Sequence, residues 1–289
     1  MFASWREFPP TAYNARAMTS ALLLLALTFT QIGASRTALV TVADTRNRPI
    51  VDLGPDDFVV RENGQPREVL TMRIADYPIV LVLDNGAGGQ ADFEALRRAA
   101  ARFVGRVGQR PVAVALADPP TLAATFDDDR KTVMERLDAI TAKPGAQGRL
   151  FQGVVSAAQA IRESGALFSA IVVLSTTPTE RDIPAEILTP ILESGAIVHI
   201  VSNRVNVDRG NDAAARSVET LRALADETHG QFTAIYSAVS YQAALDRLAD
   251  RLATELMLEY VVPVGSSRGN DVKLGVRIPG SRVNGLGSR

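Results

Sequence analysis

The stretch "YPIVLVLDNGAGGQ", Tyr77 to Gln90, combines an unbroken apolar run with an aspartate and a glycine-rich loop. An apolar run without polar alternation is typical of a strand that is covered on both faces of its sheet. The next segment, residues 91–107, places an apolar stripe on one helical face: Phe93, Leu96, Ala100, Phe103 and Val104. The order strand, loop, helix predicts one unit of a parallel α/β sheet, with the loop at the carboxyl end of the strand.

The same alternation continues through residues 77–257. Further apolar, buried-type strands are predicted at "PVAVALAD" (111–118), "ALFSAIVVLST" (166–176), "AIVHIVSN" (196–203) and "QFTAIYS" (231–237), with a short strand possible in "TLAATF" (121–126). Helical patterns separate most of them. This alternation predicts an α/β fold with a doubly wound, mostly parallel six-stranded sheet flanked by helices.

Both ends of the remaining chain show β patterns instead. In residues 36–76, two β-like runs flank Asn63-Gly64, a dipeptide that favours a tight hairpin because both positions tolerate positive φ. In residues 258–289, the runs "LEYVVPV" and "DVKLGVRIPG" predict a second hairpin around "GSSRGN", and the last residues, from Ser281, are expected to be frayed. We expect both ends to pack together as one small β-rich accessory region.

The N-terminus, residues 1–35, is predicted to be a signal peptide. Arg6 and Arg16 supply positive charge, "ALLLLALTF" (21–29) supplies a short apolar core, and "IGAS" (32–35) supplies small residues for cleavage. The apolar core is shorter than the ~20 residues of a spanning helix, although an uncleaved anchor stays open as an alternative. We expect a periplasmic or secreted protein without a membrane span after signal removal.

Composition restricts the chemistry. The net charge of -1 gives no broad attraction to nucleic acid, so a nucleic-acid partner is not expected. The absence of cysteine excludes disulfides, a thiolate nucleophile and cysteine-ligated metal. A triad of Ser175, His199 and an acid remains conceivable, but the chain has no G-x-S-x-G nucleophile elbow.

The glycine loop satisfies one enzyme motif. Gly86, Gly88 and Ala91 fit the dinucleotide pattern G-x-G-x-x-G/A, and Asp118 ends the next strand, where a ribose-binding acid is expected. Asp84 would place a negative charge beside the pyrophosphate, and no catalytic group is evident. A dinucleotide-dependent enzyme that uses the Gly86–Ala91 loop is therefore kept as an alternative.

The order of motifs along the chain resembles the von Willebrand factor type A family. The β segment "DFVVRENGQ" is followed by "PIVLVLD", "FDDDRKTVMERLDAI", "LFQGVVSAAQAI", "IVVLST", "LRALADETHGQF" and "LEYVVPV". The resemblance covers residues 38–278 and is strongest to exported bacterial proteins that place this domain between short β segments. It implies the same α/β fold and a metal-ion-dependent adhesion site at the glycine loop.

The family's metal site, mapped residue by residue, is mostly lost in this chain. Its pattern is Asp-x-Ser-x-Ser, a Thr in a later loop and an Asp after a later strand, which together hold Mg²⁺ or a similar ion. Asp84 matches the first Asp, but the other ligand positions hold residues of different type: Gly86, Gly88, Gly148 (Arg149 if the alignment shifts by one) and Thr176. The resemblance thus implies a degenerate site without metal; a metal-dependent adhesion module with substituted ligands, such as Asn85, Ser175 or Thr177, is the alternative.

From this resemblance we expect a non-enzymatic, extracytoplasmic module that binds another protein or acts as a scaffold. The loops at the carboxyl ends of the strands would form a rim that contacts the partner. Its candidate residues are Asp84, Asn85, Arg149, Thr176 and Arg204. Arginines on this rim would suit an acidic peptide.

Overall fold

The computed structural model describes residues 34–86, 90–143, 149–176, 185–204, 212–265 and 271–289. The predicted signal segment before Ala34 lies outside the described residues, as do Gly88 and Gly148. Ala34 and Ser35, which belong to the predicted signal segment, are the first two residues of a strand.

The described residues form thirteen strands and six helices. The strands are β1 (Ala34–Ala43), β2 (Phe58–Glu62), β3 (Gln65–Arg67), β4 (Val69–Ile74), β5 (Ile79–Leu83), β6 (Val112–Leu116), β7 (Leu122–Ala124), β8 (Ala170–Ser175), β9 (Ile197–Asn203), β10 (Phe232–Ile235), β11 (Leu256–Val262), β12 (Val272–Val276) and β13 (Arg282–Ser288). The helices are α1 (Gln90–Arg106), α2 (Arg130–Ala139), α3 (Leu150–Ser164), α4 (Ala185–Glu193), α5 (Asp212–Glu227) and α6 (Ser240–Ala253).

The central sheet confirms the predicted six strands. Their order is β10-β9-β8-β5-β6-β7, and all neighbours are parallel except β7, which runs antiparallel to β6. The chain starts in the middle at β5, builds outward to β7, and then returns to add β8, β9 and β10 on the other side. The strand order therefore reverses between β5 and β8, the position at which doubly wound sheets open a crevice for ligands.

Both faces of this sheet are covered, which explains its unbroken apolar strands. Every residue of β5, β8 and β9 is buried. One face packs on α1, α2 and α6 through side chains such as Leu81, Phe103 and Leu245. The other face packs on α3, α4 and α5 through side chains such as Val82 and Val154.

The accessory region is a β-sandwich built from both chain ends, as predicted. One sheet has the order β13-β1-β11-β4 and the other the order β12-β2-β3. They enclose a separate apolar core that includes Val40, Phe58, Leu258 and Tyr260. Thr37 and Arg289 exchange both backbone hydrogen bonds, at 2.8 and 2.9 Å, so the first and last strands lie side by side.

Two β predictions at the C-terminus are wrong. β11 and β12 do not form a hairpin, because β11 pairs with β1 and β4 in one sheet while β12 pairs with β2 in the other. The last residues are not frayed, because β13 pairs with β1 and its Val283 and Leu286 pack against the two cores. By contrast, the Asn63-Gly64 hairpin is confirmed: both residues have positive φ, 51° and 77°, between β2 and β3.

A buried polar cluster joins the two parts of the molecule. The Tyr77 hydroxyl donates a hydrogen bond to Glu255 Oε2, and Arg110 Nη2 lies 3.7 Å from the same oxygen. Arg110 also donates to the Leu252 carbonyl at 2.6 Å, and its guanidinium stacks 4.2 Å from the Tyr77 ring centroid. Burial raises the pKa of Glu255, while the Tyr77 hydrogen bond and the charge of Arg110 oppose that rise. Tyr77 lies just before β5, and Glu255 lies just before β11. The cluster therefore connects the two chain segments at which the chain enters and leaves the α/β layer.

We predict that Arg110→Ala lowers the free energy of unfolding by about 3–5 kcal/mol, because it leaves the Glu255 carboxylate buried without its cation. Urea denaturation followed by circular dichroism measures this. The double variant Arg110→Met, Glu255→Leu removes both charges and should lose much less, and the exposed Arg98→Ala should change little. Equal losses in the single and double variants would contradict an electrostatic role for the cluster.

Candidate functional site

The predicted site lies at the point where the strand order reverses, and its centre is a hydrogen-bonded pair. Asp84 directly follows β5, and Thr176 directly follows the neighbouring β8. Asp84 Oδ2 accepts hydrogen bonds from both the Thr176 backbone N–H and the Thr176 hydroxyl, each at 2.9 Å. The side chains are 1% and 2% exposed. The structure thus brings together the first and last mapped metal positions, but as donor and acceptor to each other.

Asn85 extends this network to the next strand. Its Oδ1 accepts from the Asp118 N–H at 2.8 Å, and its Nδ2 donates to the Asp118 carbonyl at 2.6 Å. Its own carbonyl accepts from the Lys143 N–H at 2.7 Å. A side-chain amide that meets both backbone groups of a residue acts like a strand pairing, so Asn85 fixes the ends of β5 and β6 together.

The candidate rim residues divide into two groups. Asp84, Asn85 and Thr176 are buried, so they support the loops from beneath. Arg149 is exposed just before α3, and Arg204 is half-buried just after β9, where its N–H donates to the Ile235 carbonyl at 2.8 Å. Gly86 is buried beside Asp84, and Gly88, Gly148 and Thr177 lie outside the described residues.

Sequence reasoning missed an apolar surface on the same edge of the sheet. Tyr236 and Val239, in the connection between β10 and α6, are 63% and 79% exposed. Adjacent strands are ~4.8 Å apart, so Tyr236 lies about 14 Å along the rim from Asp84. The signal is available in "YSAVS", where two large apolar residues stand at the end of a strand: the predicted strand 231–237 includes Tyr236, and Val239 lies between that strand and the next helical pattern.

The described residues around Asp84 supply few of the ligands that a magnesium ion needs. Mg²⁺ requires near-octahedral oxygen coordination, usually by one or two carboxylates together with waters or phosphates. Asp84 is the only carboxylate among the mapped positions, and both Thr176 donors already point at its Oδ2. In the described ranges, no group of three or more His, Asp or Glu side chains is placed to hold a metal ion.

The two enzyme alternatives also gain no support from the geometry. Ser175 faces the same side of the sheet as Val173, against α3–α5, whereas His199 faces the side of Val201, against α6. The sheet therefore separates the nucleophile and base of the conceived triad. For the dinucleotide alternative, Asp118 follows Gly86 by 32 residues, against ~20 in the fingerprint, and leads into the antiparallel β7.

His199 is a buried base without a partner. Its side chain is 1% exposed, and neither ring nitrogen has a hydrogen-bond partner in the part of the chain that the structure describes. Burial, reinforced by the positive charge of Arg251, lowers the pKa of His199 to about 3. The imidazole is therefore neutral across the physiological pH range.

Comparison with known proteins identifies similar structures only. No protein-family profile and no curated protein sequence matches the chain. Among solved structures, conserved hypothetical protein BatB from Bacteroides thetaiotaomicron shares 16% identity over 61% of this chain and 98% of its own, with a TM-score of 0.43. A von Willebrand factor type A protein from Catenulispora acidiphila shares 10% identity over 89% of this chain and 73% of its own, with a TM-score of 0.47.

A third similar structure contains the three N-terminal domains of the type V pili tip protein Mfa5 from Porphyromonas gingivalis. It shares 14% identity over 77% of this chain and 56% of its own, with a TM-score of 0.47. Because these TM-scores lie below 0.5, the doubly wound α/β fold is assigned from the strand order and helix placement described above. Within the described residues, no helix has both the length and the apolar character needed to cross a membrane.

We predict that His199 makes the protein acid-sensitive. Because the folded-state pKa is lowered to about 3 from 6.5, the stability present above pH 6.5 is lost progressively as pH falls toward 3. The loss from this group is about 2 kcal/mol at pH 5. In His199→Leu, the free energy of unfolding, measured by urea denaturation between pH 4 and 8, should fall less steeply below pH 6.5 than in the parent protein.

His229→Asn is the matched control, because His229 is exposed and asparagine tolerates its positive φ of 58°. In this control, the loss of stability below pH 6.5 should be the same as in the parent protein. If His199→Leu also showed the same loss as the parent, the buried imidazole would not be the cause of the acid sensitivity.

Proposed function

We propose that this protein is a non-enzymatic, extracytoplasmic module that binds another protein or acts as a scaffold, and that its metal site has been replaced by internal hydrogen bonds. The observation that carries the proposal is the pair formed by Asp84 and Thr176 at the reversal point of the sheet. This hydrogen-bonded pair takes the structural role that a bridging cation would have, because it holds the ends of β5 and β8 together.

The chemistry of the replacement supports the loss of metal. A carboxylate that accepts two hydrogen bonds from buried donors is stabilised in its charged form without a cation. Mg²⁺ would have to compete with the two Thr176 donors at Oδ2 or bind through Oδ1, and few other oxygens would complete its shell. Glycine at position 86 supplies no side-chain oxygen at all.

The exposed part of the rim supports a protein partner. Tyr236 and Val239 provide apolar area, and the exposed Arg149 and the half-buried Arg204 provide positive charge on the same edge of the sheet. Tyrosine and arginine are enriched among the residues that dominate binding energy at interfaces. A partner segment with an apolar anchor and acidic neighbours would complement this surface.

The extracytoplasmic location is proposed from the N-terminal sequence. The charged, apolar and small-residue regions of residues 1–35 match the order of an export signal. The absence of cysteine is compatible with an oxidising compartment. The proposed rim would lie on the same side of the membrane if the segment were removed and if it were retained as an anchor.

We predict that the protein shows no saturable micromolar binding of Mg²⁺ or Mn²⁺ in calorimetric titration. The variant with Gly86→Ser, Gly88→Ser, Gly148→Thr and Thr176→Asp should gain such binding, because it restores all the missing oxygen ligands. Adding Asp84→Ala to that variant should remove it again. Micromolar binding by the unmodified protein that Asp84→Ala abolishes would overturn the proposal of metal loss.

We predict that a photo-reactive phenylalanine analogue at position 236 crosslinks to one discrete protein in envelope extracts. Leu167, which is 56% exposed in the loop before β8 at the opposite end of the sheet, is the matched control position. Val239→Asp should abolish the adduct from position 236, and Leu167→Asp should not. No discrete adduct, or an adduct insensitive to Val239→Asp, would refute the rim as the contact surface.

A further inference from the structure

A small, partly open cavity lies away from the rim, between strands β9 and β10 and helix α6. Its volume is about 180 Å³, and its polar lining comes from His199, Gln231, Thr233, Arg247 and Arg251. His199 is the third residue of β9, so the cavity lies beside the middle of that strand rather than at its carboxyl end. A volume of this size suits a ligand of a few heavy atoms, since pockets for larger ligands measure about 300–1,000 Å³.

The buried imidazole gives this cavity an unmet hydrogen-bonding need. A neutral imidazole carries one donor and one acceptor, and in the described part of the chain both nitrogens of His199 lack partners. Buried polar groups in folded proteins are nearly always satisfied, so an exception calls for a bound water or ligand. His199 lines the cavity, so a group bound there would lie next to the imidazole.

Two arginines on one helical face supply the positive charge. Arg247 and Arg251 are four residues apart on α6, so their side chains lie on the same side of the helix. Across the described ranges, Arg247 makes no hydrogen bond or ion pair, and the side-chain partner of Arg251 is the neutral Gln231 Oε1 at 3.2 Å. The acids of the same helix, Asp246 and Asp250, instead pair with Arg102 and Arg106 of α1. In the described ranges, neither arginine at the cavity therefore has a carboxylate within salt-bridge distance, although the charge of Arg251 acts on Glu255 and opposes the rise that burial causes in its pKa.

We propose that this cavity binds a small oxyanion, held by Arg247 and Arg251 and by a hydrogen bond from His199. Tetrahedral or carboxylate oxygens are acceptors only, which matches the guanidinium and imidazole donors that line the space. The site is independent of the rim and of the proposed partner. It assigns a ligand to the edge of the sheet formed by β9 and β10.

The test is a thermal-shift and calorimetric titration of the full chain with phosphate, sulfate and malonate at constant ionic strength and pH 7.5, with chloride as the control anion. We expect saturable binding of at least one oxyanion, with a dissociation constant on the order of 1 mM or tighter. Preference for phosphate and sulfate over malonate, or the reverse, distinguishes a tetrahedral from a carboxylate ligand.

Variants assign the binding to the cavity. Arg247→Gln should weaken it at least tenfold, and Arg247→Gln with Arg251→Gln should abolish it. Arg98→Gln, at an exposed arginine of α1, is the matched control and should bind as the parent does. Arg247 is exposed and makes no hydrogen bond or ion pair within the described residues, so its variant stays informative even if His199→Leu fails to fold. Binding of no oxyanion, or an equal loss in Arg98→Gln, would overturn the proposal.

Discussion

The fold depends on one buried carboxylate, that of Glu255, and on the two side chains that meet it. Tyr77 and Arg110 approach this carboxylate from the start of β5 and from the turn before β6. An ion pair with almost no exposure is weak evidence for stability in itself, because desolvation offsets much of the attraction. Its effect here is positional: the α/β layer and the β-sandwich meet in one arrangement, since any other arrangement would leave a buried charge uncompensated.

Asp84 illustrates how one position can keep its residue and change its role. The loop after a central strand is the natural ligand site of a doubly wound sheet, because strand ends and helix starts converge there. In this chain the carboxylate at that place is held by Thr176, and the neighbouring Asn85 binds the next strand. Side chains at a place that could hold an ion instead connect the ends of β5, β6 and β8 by hydrogen bonds. These hydrogen bonds support the loops that face outward from the sheet.

The central sheet was predictable because its signal is local. Strands such as "IVLVL" and "AIVVLS" are apolar except for the terminal Ser175, and each is followed by a helical pattern, so composition and period identify the class of sheet. Strand partners in the sandwich were not predictable in the same way. β11 and β12 are close in sequence but alternate toward a shared core from opposite sheets, and a period of two does not say which strand lies beside which.

The candidate site was predictable in position more than in detail. That Asp84 and Thr176 lie in one site follows from the mapped positions, but their hydrogen bonds do not. The exposure of Tyr236 and Val239 depends on how the chain turns after β10. Likewise, the lack of hydrogen-bond partners for His199 among the described residues depends on which α6 side chains pack next to it. Neither property has a local sequence signal, because both are decided by residues that are distant in the chain.

The adjacency of Thr37 and Arg289 also has a mechanical consequence. Antiparallel β1 and β13 meet with these two residues at the same end of the pair, so a force that draws them apart would open the ladder one hydrogen bond at a time. Unzipping of this kind resists force far less than shearing, in which all the bonds of a ladder are loaded together. A pull between these strands would therefore peel β13 from the sandwich first and, because Leu286 packs on the core of the six-stranded sheet, would uncover part of that core.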